Sequence, residues 1–134
     1  MSAAELRTDG VIVACAISAG IHAALAPDHF RETTGAGIGF VAATVVLGAL
    51  AVVLTLRPSE PAFAAAALVF AGLIGSYVLA VTTGIPVIHP DVDAVEGLAL
   101  ATKAIEAGAL VLAVSAWRPV RAPISLTQPK GTLT

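Results

Sequence analysis

The sequence predicts an all-α integral membrane protein whose four transmembrane helices form an up-down-up-down bundle, with both termini in the cytoplasm. Hydrophobic residues make up 57% of the 134 residues, charged residues only 12%, and the mean hydropathy is +0.94. Soluble proteins carry about 25% charged residues, and a small soluble domain cannot hide so much apolar surface. Four apolar segments also reach the length of about 17–25 residues that a membrane-spanning helix needs.

The first predicted span is followed by a proline that is expected to interrupt it. The four spans cover about 10–26, 35–56, 61–83 and 94–117. Pro27 has no backbone N–H, so the first helix is expected to kink or end near Ala26. Residues 1–26 are expected to remain as a span and not to be cleaved as a signal peptide, because Arg7 lies between two acidic residues.

The third and fourth helices carry recognisable start signals. Ser59 is expected to be the N-cap of the third helix, with Pro61 in its first turn. The segment "TTGIPVIHPDVDAVE" holds one glycine and two prolines and is predicted to be an irregular loop. Asp91 or Asp93 is expected to cap the fourth helix, because a carboxylate is favourable at the positive end of the helix dipole.

The basic residues are divided unequally between the two predicted faces of the membrane. One face has Arg7, Arg57, Arg118, Arg121 and Lys130, whereas the other has only Arg31. The positive-inside rule then places both termini in the cytoplasm. Residues 1–117 are the predicted membrane domain, and residues 118–134, which contain three prolines, are predicted to be a flexible cytoplasmic tail. The alanine, valine and glycine bias is typical of GC-rich bacterial genomes, so we expect a multi-pass protein of a bacterial plasma membrane.

Histidines and carboxylates gather on the predicted outer face, in the segments "HAALAPDHFRE" and "HPDVDAVE". Imidazole nitrogen and carboxylate oxygen together suit Cu, Zn or Fe ions. If Pro27 begins a short interfacial helix, His29 and Glu32 share one of its faces at a spacing of three residues. The sequence therefore predicts a transition metal site for storage, delivery or transport of the ion. The candidate ligands are His22, Asp28, His29, Glu32, His89 and Asp91.

The metal prediction has alternatives, because the spacing matches no strict signature such as H-E-x-x-H or paired cysteines. The carboxylates also suit helix caps and solvated loops. A b-type haem would need two histidines at matched depth, and only His22 lies clearly within a span. No G-x-S-x-G motif indicates a hydrolase, and the chain is more simply interpreted as a protein without catalytic residues.

Two spans carry polar residues at helical spacing. Glu96, Lys103 and Glu106 are separated by seven and three residues, which places them on one face of the fourth helix. Cys15, Ser18 and His22 similarly share a face of the first helix. Charged residues at the centre of a membrane helix cost about 2.5–3.5 kcal/mol each, so these faces are expected to line one interior seam. This polar lane is interpreted either as a structural ion pair or as a path for ions or protons.

The competing hypothesis for the whole chain is a non-catalytic accessory subunit of a larger membrane complex. Membrane helices associate through close packing of small residues, and glycine recurs in the second and third spans. The expected partners are the lipid bilayer and either further copies of the chain or other subunits of a complex. Nucleic acid is not expected, because the sequence has no basic patch with interleaved aromatic residues.

Overall fold

A computed structural model describes residues 1–86, 88 and 90–117 of the chain. Within them lie four α-helices, namely α1 (Ala3–Glu32), α2 (Thr34–Leu56), α3 (Glu60–Thr82) and α4 (Gly97–Trp117). All four are long and apolar enough to cross a membrane, which confirms, for the described residues, the predicted all-α class and the number of candidate spans. Each helix packs against the next along the chain, and α1 also packs against α4. The predicted tail, residues 118–134, lies outside the described residues.

The first helix begins before the apolar stretch. It starts at Ala3, about two turns ahead of the predicted start near Gly10. Ser2 and Glu5 form a capping box, in which the Glu5 N–H donates to Ser2 Oγ at 3.2 Å and the Ser2 N–H donates to the Glu5 carboxylate. Because this reciprocal cap satisfies backbone N–H groups that the first turn leaves free, the helix can begin among charged residues.

The first helix was expected to kink or end near Ala26, and the second of these expectations is wrong, because α1 continues through Pro27 to Glu32. A proline inside a helix removes one hydrogen bond, here the bond to the carbonyl of Ala23 four residues earlier. Membrane helices tolerate this loss when neighbouring turns remain intact. The separate interfacial helix on which the shared face of His29 and Glu32 was conditioned does not form, and the same residues make the last turns of α1.

A single residue, Thr33, connects α1 to α2. Its backbone N–H donates to the His29 carbonyl at 3.0 Å and closes α1, while its Oγ1 accepts the Ala36 N–H at 3.1 Å and caps α2. The Thr33 hydroxyl also donates to the carbonyl of Ile88 at 2.6 Å. Thr33 thus ties the α1–α2 turn to the segment between α3 and α4. We call this end of the bundle the Thr33 end.

The starts of α3 and α4 differ in how well the sequence predicted them. Ser59 occupies the N-cap position of α3 and a proline lies in the first turn, as predicted, although the serine side chain makes no capping hydrogen bond. The fourth helix begins at Gly97, three residues later than predicted, so neither Asp91 nor Asp93 occupies the N-cap position directly before it. The Asp93 N–H instead donates to the carbonyl of Ala80 at 3.0 Å, which holds this segment against the end of α3.

The interior is built from a few large side chains and many small ones. Phe70, Leu47 and Leu54 are its largest fully buried apolar residues, and alanines such as Ala66 and Ala113 fill the space between the helices. Large apolar side chains, including Leu68 on α3 at 75% exposure, cover the outside of the bundle. An exposed apolar surface of this extent suits a bundle surrounded by lipid.

Replacing Gly84 tests how the α3–α4 segment is held. Gly84 has φ of +70°, and a Cβ there would collide with the carbonyl oxygen of Pro90. We expect Gly84→Ala to lower the free energy of unfolding by at least about 1–2 kcal/mol, since left-handed backbone is unfavourable for residues with a Cβ. Unfolding in mixed detergent micelles, followed by circular dichroism, measures the change.

Gly72→Ala is the matched control for this prediction. Gly72 lies inside α3, where an added Cβ meets nothing within 4 Å. Alanine is a better helix former by about 1 kcal/mol, so this variant is expected to be as stable as the parent or more stable. Equal destabilisation of the two variants would contradict the proposed role of Gly84.

Candidate functional site

The middle of the bundle contains a buried carboxylate with a hydrogen-bond donor on each oxygen. Glu106 of α4 is 0% exposed. The Ser18 hydroxyl of α1 donates to Glu106 Oε1 at 2.7 Å, and Lys103 Nζ donates to Oε2 at 2.6 Å. The two donors come from different helices, so the carboxylate links α1 to α4. We call His22, Ser18, Lys103 and Glu106 the buried cluster.

The cluster forms because its residues recur at helical spacing on two packed helices. Ser18 and His22 are one turn apart on α1, and Lys103 and Glu106 are three residues apart on α4, so each pair shares a face. At 1.5 Å per residue, Glu106 lies about 14 Å from Gly97 and about 17 Å from the other end of α4. The carboxylate is therefore near the midpoint of a helix long enough to cross a membrane.

Tyr77 of α3 completes the surroundings of the ion pair. Lys103 Nζ lies 5.7 Å from the centroid of the Tyr77 ring, a distance at which a cation and an aromatic face attract each other. Among the described residues, the Tyr77 hydroxyl is the buried side-chain polar atom that lacks a hydrogen-bond partner. Tyr77 was not among the residues predicted from the sequence, although it is the single tyrosine of the chain and lies within an apolar helix.

Both histidines of α1 bond to the backbone one turn earlier. His22 Nδ1 lies 2.8 Å from the Ser18 carbonyl, and His29 Nδ1 lies 3.0 Å from the Leu25 carbonyl. A carbonyl oxygen only accepts hydrogen bonds, so Nδ1 carries the proton in each ring. In the neutral imidazole Nε2 then keeps its lone pair. His22 Nδ1 also lies 3.4 Å from Ser18 Oγ, next to the donor that binds Glu106.

Phe40 of α2 contacts both imidazoles. Its ring stacks on His29 with centroids 3.7 Å apart and is tilted against His22 with centroids 5.1 Å apart. His22 is 6% exposed, whereas the His29 side chain is 23% exposed and lies nearer the Thr33 end. Phe40 was not selected from the sequence, because an aromatic residue in an apolar span carries no signal of which side chains it will meet.

The predicted metal ligands are only partly brought together. His29 Nε2 lies 4.0 Å from Glu32 Oε2, at the end of α1. Asp28 instead pairs with Arg31 at 2.6 Å on the exposed side, and His22 points into the buried cluster. Among the described residues no group of three or more His, Cys, Asp or Glu side chains is arranged to hold a metal ion.

The remaining predicted site residues lie in the segment before α4. Asp91 is exposed, and His89 lies outside the described residues. Glu96 directly precedes α4 and is exposed, so it does not join Lys103 and Glu106 in the interior. The polar lane predicted along α4 is therefore limited in the structure to its two intramembrane residues and the groups that meet them from α1 and α3.

Comparisons with known protein families, with characterised proteins and with solved structures find no match to this chain.

Removing one partner of the ion pair tests the energetics of the buried cluster. We expect Lys103→Ala to lower the free energy of unfolding by about 3–5 kcal/mol, because it leaves the buried Glu106 carboxylate without its counter-charge. The double variant Lys103→Met with Glu106→Leu is expected to be near the parent or above it, since the charges are removed together. Unfolding in mixed micelles separates the outcomes, and equal losses in the single and double variants would show that charge pairing is unimportant.

Proposed function

We propose that this chain is a multi-pass membrane protein that binds a transition metal ion (Cu, Zn or Fe) at the Thr33 end of its bundle, for storage, delivery or transport of the ion. The observation that carries the proposal is the pair formed by His29 and Glu32. The proposed ligands are His29, Glu32 and His89. Neither His22 nor Asp28 is retained as a ligand, because His22 is buried two turns of α1 below His29 and Asp28 pairs with Arg31 on the exposed side.

The His29–Glu32 pair has the chemistry of a partial metal site. With Nδ1–H of His29 donated to a backbone carbonyl, the neutral ring presents Nε2 as an acceptor toward a carboxylate oxygen 4.0 Å away. Metal-bound histidines are commonly oriented in this way by a hydrogen bond from the other ring nitrogen. Two bonds of about 2.0–2.1 Å at a tetrahedral angle place their ligand atoms about 3.3 Å apart. A side-chain movement of about 0.7 Å therefore brings the two atoms to the separation that one ion requires.

The segment between α3 and α4 supports a third ligand. Thr33 directly follows Glu32, and its hydroxyl holds the carbonyl of Ile88 at 2.6 Å. Ile88 also lies against Gly35, where an added Cβ would meet the Ile88 backbone at 3.0 Å. His89 is the next residue in the sequence. Covalent continuity with Ile88 is the reason to include His89 in the proposed ligand set.

The proposal includes an orientation. Basic residues are concentrated toward the Arg7 and Arg57 side, whereas Arg31 stands alone at the Thr33 end and is paired with Asp28. Under the positive-inside rule the Thr33 end faces outward and both termini are cytoplasmic. A bacterial plasma membrane is the proposed location. The metal site would then be reached from outside the cell.

A second function, that of an accessory subunit or homo-oligomer, is favoured by the outward glycines of α3. An added Cβ at Gly72 or Gly75 meets nothing within 4 Å, so these glycines are not used for packing inside the chain. Leu68, one turn from Gly72, is 75% exposed. Small residues on membrane helices allow close approach of a neighbouring helix. This face of α3 is therefore suited to packing against a further transmembrane helix.

The metal proposal is tested by elemental analysis and calorimetric titration of the detergent-purified chain with Zn²⁺, Cu²⁺ and Fe²⁺ separately. We expect tight binding of at least one of these ions, and a loss of affinity of about 10–100-fold or more in His29→Ala and in His89→Ala. Asp28→Asn is the matched control, because Asp28 already pairs with Arg31, and it is expected to bind as the parent does. Binding that survives both histidine substitutions, or is absent in the parent, refutes the proposed site.

The accessory proposal is tested by native mass measurement of the chain extracted from its membrane in mild detergent. We expect the parent to run as an assembly larger than one chain, and the double variant Gly72→Leu, Gly75→Leu to run as a single chain. Gly20→Leu on α1 is the control, because Gly20 is also in open space but lies on another helix. A parent that is already a single chain would count against this function.

A further inference from the structure

We propose that Glu106 is an exchangeable proton-binding site in the middle of the bundle, loaded from the Thr33 end through His22 and Ser18, with Phe40 as the barrier to entry. This site is separate from the proposed metal site, since neither His29 nor His89 takes part in the transfer. The proposal concerns the buried cluster, whose side chains are 0% exposed at Ser18 and Glu106 and 6% exposed at His22.

The surroundings of Glu106 can hold the carboxylate with or without a proton. The ionised form is matched by the Lys103 ammonium at 2.6 Å and by the Ser18 hydroxyl at 2.7 Å. A hydroxyl both donates and accepts, so Ser18 can receive a hydrogen bond from the protonated carboxyl after its own hydrogen turns away. A mid-helix serine can then donate to the carbonyl four residues earlier, here that of Ala14. Neither protonation state leaves Glu106 Oε1 without a partner.

The other titratable groups near the Glu106 carboxylate come from the helices that pack around it. Cys15 lies one turn from Ser18 on the same face of α1 and is fully buried. The third helix contributes Tyr77, whose ring lies against the Lys103 ammonium. The second helix contains no titratable side chain. Lys103 is therefore the charge that opposes protonation of Glu106, and His22 is the group that can deliver a proton.

A short chain of contacts joins His22 to Glu106. His22 Nδ1 lies 3.4 Å from Ser18 Oγ, which lies 2.7 Å from Glu106 Oε1. A proton binding at Nε2 makes the imidazole cationic, and the Nδ1 proton can then pass to Oγ while the hydroxyl proton passes to Oε1. One proton enters, one O–H bond forms on the carboxyl, and the imidazole becomes neutral again. The imidazole is left with its proton on Nε2, and the starting tautomer returns by the reverse transfer, in which Glu106 gives its proton back through Ser18 to Nδ1 and Nε2 releases one. No oxidant or reductant is required.

Phe40 separates this chain from the exposed end of α1. At 1.5 Å per residue, His22 lies about 7.5 Å below Pro27 and about 10 Å below His29. The Phe40 ring lies against the imidazoles of both His22 and His29. A hydrocarbon ring cannot pass a proton, so its movement is expected to limit the rate at which His22 is loaded.

The test uses the full-length chain in lipid vesicles, with a chelator present so that metal binding does not contribute. Infrared spectra are compared between alkaline and acidic buffer, and the carboxylic acid band that appears is assigned by its absence in Glu106→Gln. We expect such a band in the parent. Its absence in both proteins overturns the proposal, whatever the outcome of the metal titrations.

The route is tested by the rate at which the band grows after a rapid drop in pH. Ser18→Ala is expected to slow the growth of the band about tenfold or more, which corresponds to a rise of about 1.4 kcal/mol in the activation free energy of proton transfer. Ser18→Thr, which keeps the hydroxyl, is expected to restore it. Phe40→Ala is expected to accelerate it, with Phe40→Leu as the matched apolar control near the parent rate. Equal rates in Ser18→Ala and Ser18→Thr refute the route.

Discussion

The contact among Ser18, Glu106 and Lys103 determines how these helices face one another. Apolar helices in lipid gain little from burying apolar side chains against each other, because the surrounding hydrocarbon is equally apolar. A helix made mostly of Ala, Val, Leu and Gly therefore has many rotations of similar free energy. One buried carboxylate changes this, because an unpaired charge at mid-membrane is far more unfavourable than any mismatch among methyl groups. The hydrogen bond from Ser18 to Glu106 fixes the rotation of α1 relative to α4.

The polar residues of α1 also organise the other two helices. His22 and His29 are seven residues apart and contact the same aromatic ring, that of Phe40 on α2. Lys103 extends the ion pair toward Tyr77 of α3. The contacts run from α2 through α1 and α4 to α3, which matches the order in which the helices pack. A small number of polar and aromatic side chains thus specifies a bundle whose remaining contacts are largely interchangeable.

The sequence was sufficient for the features that depend on composition and spacing. The four helices follow from hydropathy and length, and the three-residue spacing of Lys103 and Glu106 placed both on one face. It was insufficient where the surrounding structure overrides the local preference of a residue type. Pro27 has an unfavourable propensity, but a helix loses only one hydrogen bond there and retains the turns on both sides. Asp93 resembles a cap, yet its backbone is held by Ala80 at the end of α3. Contacts of Phe40 and Tyr77 arise from packing between helices, which a single sequence does not encode in any periodic pattern.

The one-residue link at Thr33 bears on the order in which the bundle is assembled. Thr33 closes α1 and opens α2 with its own backbone and hydroxyl groups, so the reversal of the chain needs nothing from residues that emerge from the ribosome later. The first two helices can thus pair as a hairpin while the second half of the chain is still being synthesised, and the rings of Phe40 and His22 can meet at that stage. Glu106 is made some fifty residues after α2 ends. During synthesis, the face of α1 that carries Ser18 therefore stays uncovered until α4, which contains its carboxylate partner, has been made.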